Sequence, residues 1–344
     1  MEAKHLTYFK VENFKRFDSL EVSDIGQFNL VVGDNNVGKT SFLEALLFDE
    51  EKLGNFLSNL NSVLANRKIL GLNNDFTIVD LFAKDPKVSM KYFFQYLNYP
   101  EQSELKVSKR LRSSLQTEEI DTVSTKLKLY PDLQFIEFSL GTNKYYIFPG
   151  ELKLITGYYP YIPFTTIYGN DIVDFFSRLA ISSSWLENFK TNLREFIPNL
   201  ITVELSNAIT KESIIVLREQ DKDLAQPLAQ YGDGTIKLFR YLLELEFCEN
   251  RRLMIDEIDT GIHYSRLKDF LKKVLQTARN KNVQIFATTH SKECLQYYKE
   301  ALEELGLQDN GRVIKIADTR NGIRAYTSKF AEFENSLFGE SEIR

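Results

Sequence analysis

An α/β fold with a central, mostly parallel sheet is the arrangement this sequence predicts, on three observations. A glycine-bearing loop, Gly33-Asp34-Asn35-Asn36-Val37-Gly38-Lys39-Thr40, stands between an apolar strand pattern and a helical one. From Tyr231 onward the pattern runs loop, helix, strand, helix, strand, helix, and strands alternating with helices of that length form parallel βαβ units. Two of the later strands, within RLMIDE and VQIFATTH, end in acidic or polar residues. In a parallel sheet such C-terminal ends open on one crevice.

Taken in order, LTYFKVENF alternates as a strand, NLVV at 29–32 is a short apolar strand, and TSFLEALLF has helical periodicity. Residues 51 to about 125 read as mixed and mostly helical, as in SELKVSKRLRSSLQ. Residues 126–168 are rich in aromatic and β-branched residues broken by Pro, Gly and Asn, which predicts a small antiparallel sheet. Helices are expected across 170–198, then two strands, LITVEL and SIIVLRE. The tail predicts a hairpin turning at Arg320-Asn321-Gly322, where Asn-Gly is a strong turn signal.

Composition narrows the function classes. With 43% hydrophobic and 26% charged residues, the chain has the balance of a soluble globular protein. No apolar run reaches the roughly 20 residues a membrane helix needs, and the N-terminus lacks a secretory pattern. Two cysteines, Cys248 and Cys294, stand apart from any Cys/His cluster, which excludes a zinc ribbon and fits a cytoplasmic setting. A net charge of −5 argues against a general polyanion binder.

The loop fits G-x-x-x-x-G-K-[ST] at every fixed position. Glycines let successive backbone N–H groups curl round an anion. Lys39 then reaches the β- and γ-phosphates of ATP, and the Thr40 hydroxyl ligates Mg²⁺. Ser41 follows on the helix, whose positive end adds to the site. Asp256 and Glu257 close an apolar strand. There Asp256 would hold Mg²⁺ through water while Glu257 orients and deprotonates the attacking water. A solvated acidic pair capping the next helix is the bland alternative. His290 ends the following strand and would contact the γ-phosphate or hold the water; a structural hydrogen-bonder is its alternative. Gly232, Asp233 and Gly234 precede a long helix and form a second anion-receptive spot, or simply a tight turn with a helix cap.

Together these segments resemble the ABC-class ATPases of the SMC, RecF and OLD group, particularly compact members grouped broadly as AAA-family ATPases. VENFKRF with VVGDNNVGKTSFLEAL is similar to the opening of that group, YGDGTIKLFRYLLEL to its signature segment, MIDEIDTGIHYSRL to its acidic strand and D-loop, and FATTHSKECL to its histidine switch. The resemblance implies a P-loop head of ABC-ATPase type that hydrolyses ATP with Mg²⁺. It implies that Glu257, Lys39 and His290 act in catalysis and that Thr40 and Asp256 hold the metal. Gly232, Asp233 and Gly234 would meet ATP held by an opposing copy, with His263 at the D-loop between them and Lys15 and Arg16 flanking the nucleotide. Tyr231–Thr235 lacks the group's Ser-Gly-Gly pattern, and Ile258 stands where a proline is common.

Lys39 and Asp256 are too far apart in sequence for neighbouring βαβ units of about 30 residues each. The expected organisation is therefore a split head, 1–50 and 200–344, with a lobe inserted at 51–199 that is helical and strand-rich near 126–168. No heptads accompany it, so it is not a coiled-coil arm, and the segment after His290 leaves no room for a nuclease domain. The expected role is an ATP-driven switch: heads pair as a homodimer or higher oligomer around ATP, and a separate protein effector responds. Resemblance to compact members points to anti-phage defence or a toxin–antitoxin-like system. The alternative is a RecF-like DNA-binding repair ATPase, to which the basic run KVSKRLR and Arg251-Arg252 could contribute.

Overall fold

The computed structural model describes residues 5–48, 56, 59–60, 62–64, 78–111, 134–147, 160–164, 168–208 and 212–333. Its centre is a six-stranded sheet ordered β15 (Gly322–Lys329), β14 (Gly311–Thr319), β3 (Phe28–Val32), β13 (Gln284–Thr288), β12 (Arg252–Ile255) and β8 (Tyr161–Ile162). Every neighbouring pair is parallel except the terminal hairpin β14–β15. Phe28–Val32 and Gln284–Thr288 are buried at every position, as strands covered on both faces must be. The predicted mostly parallel sheet is present, and so is the hairpin at Asn321.

A second six-stranded sheet is wholly antiparallel, ordered β2 (Phe17–Val22), β1 (Leu6–Phe14), β4 (Met90–Tyr96), β5 (Tyr99–Leu111), β6 (Gln134–Leu140) and β7 (Asn143–Ile147). Here the helical reading of SELKVSKRLR is corrected, because those residues lie in β5. Leu105 and Val107 are buried two apart, a strand period, and pairing with β4 and β6 fixes that register. Within the predicted strand-rich stretch, residues 126–133, 148–159 and 165–167 lie outside the described residues. β9 (Leu200–Ser206), β10 (Ile214–Glu219) and β11 (Gln226–Pro227) form a small antiparallel sheet.

Alternation along the parallel strands sends side chains into two cores. Val31, Met254, Phe286 and Ile314 meet the antiparallel sheet through α1 (Lys39–Ala45), where Phe42 lies edge-on to Phe286 at 6.2 Å. Leu30, Leu253, Ile255, Ile285 and Val313 face the other way. They pack with α3 (Asn170–Leu179), α4 (Ser183–Arg194), α5 (Asp233–Phe247), α6 (Tyr264–Asn280) and α7 (Lys292–Leu305). The short α2 (Ile78–Phe82) adds Val79 and Phe82 to the first core.

One buried polar side chain ties the two large sheets together. Gln284, wholly buried at the start of β13, accepts from the Leu6 N–H at 2.9 Å and donates to the carbonyls of Leu6 and Gly26, both at 2.8 Å. An apolar replacement of similar size would orphan three backbone groups in a dry interior. Gln284→Leu should therefore lower unfolding stability by about 2–4 kcal/mol. Urea titration checks this, and an unchanged midpoint would show that the sheets do not depend on that bracket.

Candidate active site

Parallel register aligns the strand ends from which the site is built. Val31 pairs with Thr288, and Ile255 with Ala287, so β3, β13 and β12 finish along one edge. The phosphate-loop motif begins there. Gly33 sits at φ 149°, and a Cβ on it would lie 2.2 Å from the Ile316 carbonyl oxygen. Gly38, at φ 105°, would bring a Cβ within 2.8 Å of the Phe17 ring. Both positions therefore need glycine on two counts, backbone conformation and space. Asp34, Asn35 and Asn36 are exposed on the loop, Val37 is buried beneath it, and Ser41 is half-buried in the first turn of α1.

Lys39 is 6% exposed and folds back over its own loop. Its Nζ donates to the carbonyls of Gly33 at 2.8 Å and Asp34 at 2.9 Å, and lies 3.4 Å from His290 Nδ1. Burial lowers the Lys39 pKa, while the carboxylates of Asp256, Glu257 and Asp34 pull it back up.

Asp256 is 4% exposed and receives three hydroxyls. Thr288 donates to Oδ1 at 2.7 Å, Thr40 to Oδ2 at 3.1 Å, and Tyr161 to Oδ2 at 3.4 Å. The Thr288 hydroxyl also accepts the Glu257 N–H at 2.8 Å, and the Thr288 carbonyl accepts the Ile258 N–H at 3.0 Å. Those bonds hold Glu257 at φ 49°, a left-handed conformation that costs a residue with a Cβ about 1–2 kcal/mol. The chain thus leaves the sheet directly after Asp256, and the Glu257 carboxylate, half-buried, accepts from Thr260 Oγ1 at 2.9 Å.

A divalent cation fits these donors. Thr40 Oγ1 and Asp256 Oδ2 stand 3.1 Å apart. Neighbouring ligands of a Mg²⁺ octahedron with bonds of about 2.1 Å are separated by about 3 Å. Both are hard oxygen donors of the kind that ion takes. His290, exposed past the end of β13, lines a pocket of about 320 Å³ with Gly33, Asp34, Asn35 and Lys292.

The other expected residues divide. Arg16 lies over the loop, its Cδ 3.4 Å from where a Gly38 Cβ would be. Lys15 instead pairs with buried Glu44 of α1 and sits 4.7 Å over the Phe82 ring. Its backbone at φ 50° turns it into the first core rather than toward the loop. Gly232 caps α5 on the surface, with nothing within 4 Å of where its Cβ would stand. Asp233 packs against Gly261, and Gly234 against Ile262. His263 is exposed, caps α6 and lies with its ring 4.4 Å from that of Tyr264, tilted 35° to it. Thr288, Tyr161 and Thr260 were missed from sequence. For Thr288 a signal existed, a polar residue closing an otherwise apolar strand next to an acidic one.

Residues 5–156 match the family described as "AAA ATPase domain", and residues 160–295 that described as "AAA domain, putative AbiEii toxin, Type IV TA system". An ATP/GTP phosphatase of Helicobacter pylori is 21% identical, over 96% of this chain and 99% of that protein. Among solved structures, an SMC head bound to the C-terminal winged-helix domain of ScpA aligns with TM-score 0.56 and 11% identity, over 94% of this chain and 98% of that one. An SMC head with an extended coiled coil, bound to the C-terminal domain of ScpA derived from Pyrococcus furiosus, gives 0.54 and 11%, over 98% and 100%. The chain is an ATPase that carries AAA-type ATPase domain matches along residues 5–156 and 160–295, built on the P-loop head fold seen in SMC heads.

Proposed function

We propose that this protein binds ATP with Mg²⁺ and hydrolyses it in a site that a second copy completes, and that the resulting pairing acts as a switch on a separate protein effector. The observation that carries the catalytic part is the convergence of Lys39, Thr40, Asp256 and His290 at one sheet edge. When phosphates enter, Lys39 exchanges the carbonyls of Gly33 and Asp34 for β- and γ-phosphate oxygens, and the loop N–H groups receive the rest. Thr40 and Asp256 would hold Mg²⁺, which would supply neutralisation of the charge on the transferred phosphoryl group. Glu257 takes the proton of the attacking water, and His290 donates to the γ-phosphate side.

Support for the second copy comes from Gly232–Gly234, which opens to solvent and packs on the loop carrying His263. That face would meet the nucleotide of an opposing head. The match to a family described by AbiEii and type IV toxin–antitoxin systems supports a place in such a system or in phage defence. Within the basic run that the DNA-clamp alternative drew on, Lys109 pairs with Asp80 and Arg110 faces Glu137, which favours the switch reading. No described helix is long and apolar enough to cross a membrane.

Replacing Glu257 by Gln should cut hydrolysis by about 10²- to 10⁴-fold, while fluorescent-nucleotide titration shows ATP affinity within a few-fold of wild type. Wild-type turnover in that variant would remove Glu257 from the role of base. Thr288→Val removes both hydrogen bonds that its hydroxyl makes and should cost about 1–3 kcal/mol of stability. It should also raise the Mg²⁺ concentration needed for half-maximal turnover. An unaltered Mg²⁺ titration would show that Thr288 does not hold Asp256 in place.

A further inference from the structure

Between the exposed Gly232–Gly234 segment and the Glu257 carboxylate runs a short polar connection inside one chain. Lys237 lies in the first turns of α5, between the buried residues Ile236 and Leu238 in sequence, and is only 3% exposed. An apolar side chain would fill that place without the cost of desolvating an ammonium. Its Nζ donates to the Thr260 carbonyl, and the carboxylates of Asp259, Glu257 and Asp233 face it, opposing the downward pull of burial on its pKa.

Thr260 is in turn fastened to Glu257 twice. Its N–H donates to the Glu257 carbonyl at 3.1 Å, and its hydroxyl to Glu257 Oε2 at 2.9 Å. The loop and the helix start are also in van der Waals contact. A Cβ on Gly261 would lie 3.3 Å from Asp233 Cβ, and one on Gly234 would lie 3.6 Å from Ile262 Cδ1. Thr288 fixes the backbone of Glu257, which leaves the aim of its carboxylate to Thr260.

We infer that Lys237 is a positioning residue that, through Thr260, aims the Glu257 carboxylate, so that the engagement of the Gly232–Gly234 segment sets the alignment of the same chain's base. This rests on the reading of Glu257 as base given above. A shift of the first turn of α5 moves Nζ, Nζ carries the Thr260 carbonyl, and the Thr260 hydroxyl carries the carboxylate. Hydrolysis in one head thereby becomes sensitive to what the other head presents. Neither Lys237 nor Thr260 need touch the nucleotide.

The test compares Lys237→Met, Thr260→Val, Thr260→Ser and the double variant Lys237→Met/Thr260→Val, with Glu257→Gln as control, in the full chain. Turnover with ATP and Mg²⁺, fluorescent-nucleotide affinity and thermal midpoint are measured for each. Lys237→Met and Thr260→Val should each lower kcat about tenfold with affinity within about twofold, a loss confined to the chemical step. The double variant should be no slower than the slower single, because the two act in series. Thr260→Ser, which keeps the hydroxyl, should restore kcat.

Wild-type kcat in either single variant overturns the relay, as does a double variant whose losses multiply. Thr260→Ser as slow as Thr260→Val overturns it too, since packing rather than the hydroxyl would then matter. Thr260 is exposed, so its variants decide the matter even where Lys237→Met folds poorly. Glu257→Gln separates the two levels. If it abolishes hydrolysis while the relay variants do not, only the relay fails. If it leaves hydrolysis intact, the assignment of the base and the relay fall together.

Discussion

The register of three parallel strands is the constraint on which the rest of the site depends. Thr40 and Asp256 are 216 positions apart, and Lys39 and His290 251, yet each pair lies within 3.4 Å. Nothing local brings them together. They meet because β3, β13 and β12 pair side by side and end level, and because each end delivers a different functional group. A slip of one residue at any of those pairings would exchange the side chains that face the two cores and carry the strand's terminal side chain away from the others. The continuous apolar character of the strands and the two cores on either face oppose such a slip.

At that edge the polar groups satisfy one another. Lys39 rests on carbonyls of its own loop, Asp256 is held by three hydroxyls, and the Glu257 backbone is kept in a costly conformation by Thr288. Under the proposed function such a site is preorganised: phosphate oxygens would replace existing partners instead of ordering a loose pocket, leaving little reorganisation for the reaction itself. The Thr288 hydroxyl is central because it donates to one carboxylate and accepts from the next residue's backbone. It links Asp256, the proposed metal ligand, to Glu257, the proposed base, through a single atom.

Much of this was legible in the sequence, for identifiable reasons. Gly33 and Gly38 advertise backbone positions that no other residue fills, and the apolar runs ending in Asp256-Glu257 and Thr289-His290 mark strand ends that share a crevice. What escaped depends on long-range pairing. KVSKRL carries both a strand and a helix pattern over a few residues, and only its neighbours β4 and β6 decide between them. Lys15 and Arg16 are adjacent and equally charged, but one turns to buried Glu44 and the other to the loop. Tyr161 belongs to a two-residue strand whose partner lies far along the chain, which no local pattern announces.

The central claim is that ATP joins two heads and that its hydrolysis parts them. In that proposal the outward face of Gly232 and the exposed His263 would supply the contact surface, and the P-loop would supply the nucleotide. The mass of the Glu257→Gln protein, read by native mass spectrometry with and without ATP and Mg²⁺, tests this most directly. The account predicts a doubled mass, with nucleotide retained, only when ATP is present. A single-chain mass with ATP bound would contradict it and leave a P-loop ATPase that works alone.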